Sequence, residues 1–182
     1  MKSQVIVRGA AAFAFIALAA GIVGSASLGA AADDHPQTLI YAVYAGEDTA
    51  TQVFKTMKSA QGDTGERIES YAVVSKDLKG KVKVRDQRTR DSGVGAVIGG
   101  VIGLVGGPLG VAAGAAAGGA AGYLTGEAVG IPRDKVQSMK DALTPDSSAV
   151  VVVLDDRWVK DVQKDLDQAN AREVIANQIA TK

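Results

Sequence analysis

Paired carboxylates are common apparatus for acid–base catalysis, and this chain has two such pairs, Asp33-Asp34 and Asp155-Asp156. A pair works as acid and base only in a pocket that drives the two pKa values apart. Adjacent acids at a strand end more often cap the next helix, and Asp155-Asp156 stands just ahead of a helical pattern that starts at Trp158. Ser92 and Ser147-Ser148 would need a base to become nucleophiles. The single histidine, His35, is remote in sequence from all three, which excludes a serine hydrolase and a histidine-based metal site. The absence of cysteine removes disulfides, thiolate metal sites, a cysteine nucleophile and a lipoprotein anchor. Gly93-x-Gly95-x-x-x-Gly99 imitates a dinucleotide fingerprint. That fingerprint needs a strand directly before it and an acid about 20 residues on. Here the preceding residues are polar, and the next acid after Asp91 is Glu127. Gly80-Lys81 lacks the upstream glycine and the Ser or Thr of a phosphate-binding loop. These patterns point to no reaction and no cofactor, and a non-enzymatic protein is expected.

The elements that would position such groups are unusual in composition. Apolar residues are 47% of the 182, but aromatic residues only 4%, so the core is built from small side chains. Residues 1–32 contain Lys2, Arg8 and no acid; without them 18 basic residues face 20 acidic ones, a net of −2. Nucleic-acid binding needs a marked basic excess on one face, so no nucleic-acid partner is expected. The first 32 residues have the form of a secretory signal: a basic start, an alanine-rich apolar run from Ala10 to Val23, and Ala30-Ala31-Ala32 as a small-residue cleavage pattern. An uncleaved N-terminal anchor is the alternative.

The most specialised stretch is a glycine ladder. Gly95, Gly99 and Gly103 are spaced by four, then Gly110, Gly114, Gly118, Gly122, Gly126 and Gly130, with Gly106-Gly107-Pro108 as a turn between the two series. Of 22 glycines, 14 fall within 93–130, and no charged residue occurs from Ser92 to Gly126. Residues four apart share a helix face, so each series makes a stripe that another backbone can approach closely. The expectation is a membrane hairpin over 92–130 that also packs homo-oligomers. Its second arm, Leu109–Gly126, is about 27 Å as a helix and nearly spans a bilayer core of ~30 Å. The first arm, Gly93–Val105, is about 20 Å, so a re-entrant hairpin competes with two full spans.

Around the hairpin the chain alternates element types. Thr38–Tyr44 is a strand; Ala50, Val53, Phe54 and Met57 mark one face of a helix; Ile68–Ser75 and Lys81–Arg85 form a hairpin. After Pro132 comes a helix with Val136, Met139 and Leu143 on its stripe. Ala149–Leu154 is the strongest strand and, being apolar on both faces, a central one. A helix with Trp158, Val162, Leu166 and Ala169 and an edge strand over 173–178 close the chain. The fold class is α+β. The first six elements have the ferredoxin-like order βαββαβ, an antiparallel sheet with helices on one face, and an extra C-terminal α-β follows. The domain comprises 33–91 and 131–182.

Tyr44-Ala45-Gly46 leading into a helix, Ala72–Asp77, Gly80–Val84, Gly106–Gly110 and Ser147-Ser148-Ala149 together resemble the bacterial "domain of unknown function 1269" family of predicted membrane proteins. The resemblance covers roughly 38–178 in the same element order. It implies a ferredoxin-like domain carrying a membrane hairpin, with no established reaction and no assigned site residues. The typical member starts near the first strand, so the N-terminal signal is a departure.

Lys81, Lys83, Arg85, Arg88 and Arg90 run up to the glycine ladder and Arg133 follows it. Such residues protect a strand edge, and beside an inserted hairpin they also meet anionic headgroups. Membrane lipid and further copies of the chain are therefore the expected partners, with no protein partner specified. Positive residues at both ends of the hairpin favour a cytoplasmic domain, whereas the signal favours the exported side of a bacterial inner membrane or cell envelope. The cleavage motif is an additional, independent feature, and the exported side is expected. Two alternatives are a pore built from several hairpins and a small-molecule-binding domain or enzyme that uses the sheet face. The hairpin arms lack ionisable residues to line a polar path.

Overall fold

In the chain order of strands, β4 (Ser147–Asp155) is the one buried at every position, and β1 (Gln37–Ala45) is buried at all but its two ends. Runs apolar on both faces must lie inside a sheet that is covered twice. A computed structural model describes residues 36–60, 67–68, 70–90, 92–118 and 130–179, with 108–118 described by their backbone. Segment 1–32, Gly122 and Gly126 lie outside the described residues. β1 and β4 pair antiparallel along their full length, with Tyr41 opposite Val151. Around them lie β2 (Ser70–Lys76), β3 (Val82–Arg88) and β5 (Glu173–Ile179), in the order β3-β2-β4-β1-β5 with every neighbouring pair antiparallel.

Helices cover both faces of this sheet, where the sequence expectation put them on one. On the first face, α1 (Thr49–Ala60) and α4 (Val159–Gln168) bring Ala50, Phe54, Met57, Val162 and Leu166 against Ile40, Tyr44, Val150 and Val152. On the second, α2 (Ser92–Gly118) and α3 (Arg133–Ala142) bring Val94, Ile98, Val101, Ile102, Val105, Val136 and Met139 against Leu39, Tyr41, Val151 and Val153. The reason lies in β1 and β4, whose alternating side chains are apolar in both directions and must be buried on both.

Strand roles also differ from a simple count. β1-α1-β2 leaves a gap that β4 fills, and β4-α4-β5 leaves a gap that β1 fills, so two split βαβ units interleave. The C-terminal α-β is thus integral to the sheet and no appendage. β3 lies at the edge because only Val82 and the half-buried Val84 point inward while its other residues are exposed. A strand with one wet face is stable at an edge.

The uncharged helix α2 is broken once. Gly107 has φ 60° and ψ −152°, a conformation essentially confined to glycine. The arm before it shares a core with the sheet, although its lack of charge and its glycine spacing pointed to a segment outside the domain. Val94, Ile98, Val101, Ile102 and Val105 supply an apolar face as continuous as that of any core helix, and a sheet face was available to receive it. At Gly106 an added Cβ would come within 3.1 Å of Val82 Cγ2, so the missing side chain lets the helix end close over β3.

Candidate functional site

The glycine ladder divides into three parts. Gly95, Gly99 and Gly103 are buried within the domain, and a Cβ on Gly95 would meet the Thr89 side chain at 3.6 Å. Gly110, Gly114 and Gly118 continue on helical backbone beyond the Gly107 break. Gly122 and Gly126 fall outside the described residues. Among the described residues no helix is long and apolar enough to cross a membrane.

The basic residues that sequence groups together are separated by the fold. Lys81 directly precedes β3 and Lys83 and Arg85 lie in its first half, at the end of the sheet where β1 finishes, and Lys83 and Arg85 are engaged. Lys83 Nζ lies 3.3 Å from Asp77. Arg85 is a clamp: its Nε donates to Ser75 Oγ at 2.9 Å, and its guanidinium reaches Asp48 at 3.0 Å and Glu47 at 3.7 Å. It ties β3 and β2 to the turn before α1. Arg88 and Arg90 lie at the opposite end and are exposed; the Arg90 backbone N–H donates to Ser70 Oγ at 2.9 Å. Arg133 opens α3.

Asp77 organises the β2–β3 turn. Its carboxylate accepts the backbone N–H groups of Lys81 at 2.9 Å and Lys79 at 3.0 Å. The Lys81 N–H, then the Lys83 ammonium, hold its carboxyl below the usual range. With the folded value lower than the unfolded one, the stabilisation is complete above an ordinary aspartate value of about 3.9 and disappears as pH falls through the lower folded value. Amide NMR of Lys79 and Lys81 should follow this transition below pH ~4, and Asp77→Asn should abolish it. Amide shifts that titrate unchanged in Asp77→Asn would contradict the assignment.

Three further features were not legible in the sequence. A groove of about 520 Å³ opens between α1 and α4, lined by Val53, Met57 and Ala169 with Gln52, Thr56, Asp165 and Gln168. Trp158, in the 3-10 turn Asp156–Trp158, is half-buried with the guanidinium carbons of Arg67 and Arg157 at 4.8 and 5.8 Å from its ring centroid. Tyr41 is buried on the α2–α3 face, and among the described residues its hydroxyl has no hydrogen-bond partner. Burial, helped by the Glu173 charge, pushes that phenol well above the ordinary tyrosine range.

Among the described candidates for chemistry, Asp155, Asp156 and Ser148 make hydrogen bonds that tie elements together, while Asp33, Asp34, His35 and the Ser92 side chain lie outside the described residues. Asp155 caps the 3-10 turn by accepting the Arg157 N–H at 2.9 Å, as its place before the Trp158 pattern predicts. Asp156 accepts from Thr38 and from Gln178 Nε2, stitching β1 and β5 to the turn. Ser148 Oγ donates to the Gly46 carbonyl at 2.6 Å and accepts the Ala50 N–H at 3.0 Å. Among the described residues no group of three or more His, Asp or Glu side chains is placed to hold a metal ion.

Comparison with known families gives a match over the second half of the chain. Residues 93–182 fit the model described as "Protein of unknown function (DUF1269)". Over these residues the chain belongs to the DUF1269 family. No curated protein matches, and no solved structure does. The DUF1269 stretch takes in α2, α3, β4, α4 and β5. β4 and β5 are not neighbours, because β1 lies between them. The DUF1269 segment of this chain therefore completes its sheet only with β1, β2 and β3 from the residues before it.

Proposed function

We propose that this protein is a non-enzymatic module of the cell envelope, held at a membrane by the glycine-rich arm that follows Gly107. On this reading the interleaved strands β1, β2, β4 and β5 are a ferredoxin-like framework, and β3, α2 and α3 are insertions that cover its second face. The observation that carries the proposal is the uncharged run Leu109–Gly126, with a glycine at every fourth position from Gly110. The apolar residues of the first arm are already occupied by the sheet, so lipid contact falls to the second arm. At about 27 Å as a helix it suits one shallow span or a re-entrant insertion. Small-residue faces of this kind pack helices in lipid, which favours homo-oligomers. The signal-like composition of the N-terminal segment supports the exported side.

Fractionation tests the proposal. The full chain should remain in the membrane pellet through a carbonate wash, and deletion of 109–126 should release most of it. Recovery of the full chain wholly in the supernatant would refute membrane attachment.

A second reading rests on the groove between α1 and α4. Its apolar floor of Val53, Met57 and Ala169 under a polar rim fits a small ligand with one apolar face. The Thr56 hydroxyl on the rim donates to the Gln52 carbonyl of its own helix, which favours binding over reaction. Ligand-dependent shifts in melting temperature, lost in Met57→Lys, would support this role; a flat response across a metabolite panel would remove it.

A further inference from the structure

The two edges of the sheet are built differently. β3 carries Lys83, Arg85, Asp86 and Arg88, and its ladder to β2 is broken by a bulge between Val73 and Val74. Charges and bulges keep an edge strand from pairing with another chain. β5 has neither protection. It has one charged residue, Glu173 at its start, no proline, and seven unbroken pairs to β1. Among the described residues no strand lies on its outer side.

We propose that β5 is a dimer interface, pairing antiparallel with β5 of a second copy of this chain so that the two sheets become one. A two-fold axis normal to the sheet keeps the side-chain faces aligned, so residues of equal parity meet across it. With the axis at Asn177, Ile175 of each copy lies beside Ile179 of the other, and Ala176 beside Gln178. Glu173 then falls past the end of the other copy's strand, and no like charges oppose each other within the strand. With the axis at Ala176, Glu173 would instead lie against Ile179, which leaves a carboxylate beside an apolar side chain. Of these two registers, the Asn177 one keeps the apolar side chains together and the carboxylate clear of them. Ile175 and Ile179 are both buried on the α2–α3 face, and the pairing would carry that apolar layer from one copy into the next. Self-complementarity in this register is what selects a second copy over a foreign strand. This interface does not rest on membrane attachment, and the two can fail separately.

The chain has no cysteine, so one introduced thiol is unique. Opposed residues in an antiparallel pair have Cα atoms about 4.5–5.5 Å apart, within disulfide reach. Under mild oxidation the full chain with Asn177→Cys should form a product of twice the chain mass, at about tenfold the yield of Arg88→Cys on the other edge. An equimolar mixture of Ala176→Cys and Gln178→Cys should cross-link more than either alone, which reads the register without altering Asn177. Adding Gln178→Lys to Asn177→Cys sets two ammonium groups diagonally across the axis and should cut the yield severalfold. The proposal is overturned if Asn177→Cys and the mixture both fail to cross-link, or if Arg88→Cys matches Asn177→Cys. It is also overturned if the cross-linked product has any mass other than twice the chain, since another protein would then occupy the edge.

Discussion

Ile98→Ala is expected to destabilise the sheet domain by about 3 kcal/mol, since truncating a buried isoleucine costs about 2–5 kcal/mol through lost transfer energy and the cavity left behind. Ile98 is fully buried, at the middle of the first glycine-spaced arm, among residues of β1, β2 and β4. Helix propensity acts in the opposite direction, because alanine is the better helix former by a few tenths of a kcal/mol. The packing loss outweighs that gain and decides the sign. The measurement is urea unfolding followed by the fluorescence of Trp158, the chain's single tryptophan, which lies on the opposite face of the sheet. Ile98→Asp should go further and prevent folding, because a buried unpaired carboxylate is added to the cavity. Were the arm a membrane element independent of the domain, the Trp158 transition would not move. A loss below about 1 kcal/mol in Ile98→Ala would therefore separate α2 from the core of the sheet.

Ser148→Ala is expected to cost about 2–4 kcal/mol, far more than a serine on a strand usually does. Ser148 is wholly buried and makes two hydrogen bonds to different parts of the β1–α1 connection. One reaches the carbonyl of Gly46, whose φ of +84° turns the chain. The other accepts the N–H of Ala50, one of the first-turn donors that α1 cannot satisfy internally. Alanine leaves a part-buried acceptor and a buried donor without partners, and a buried loss of this kind costs about 1–3 kcal/mol. Native-state hydrogen exchange should show the Ala50 amide opening faster by the same free energy. Ser147→Ala, which loses a single bond to the Thr144 carbonyl, is the smaller perturbation. Equal losses in the two variants would mean that the link to α1 is not what Ser148 contributes.

Both predictions concern residues that sequence patterning had assigned to other tasks. Ile98 belonged to a stretch set apart by its lack of charge, and Ser148 to the serines that lack a base. Neither pattern carries information about what stands opposite. Similarly, Lys83 and Arg85 counted with Arg88 and Arg90 as one basic run until the fold placed Asp77, Glu47 and Asp48 beside the first two. An ion pair between residues far apart in sequence has no local signature. The groove between α1 and α4 is another case, since its two walls meet only because α1 and α4 share a sheet face.

What the sequence by itself determined is the set of strands and helices around the glycine ladder and where each lies along the chain. Strand and helix periods of 2 and 3.6, turn residues such as Gly46 and Gly80, and the all-apolar run Ala149–Leu154 are local signals, and each has its counterpart in the structure. The centrality of β4 was legible for the same reason, because a strand apolar on both faces has nowhere else to go. Tertiary structure alone decided which helices share a face, that β5 and not β3 lies beside β1, and that the first glycine-spaced arm is a core helix. An uncharged apolar face is equally satisfied by lipid, by another helix or by a sheet, so its burial partner depends on which surface the rest of the chain leaves uncovered. Here β1 and β4 left one, and α2 with α3 filled it.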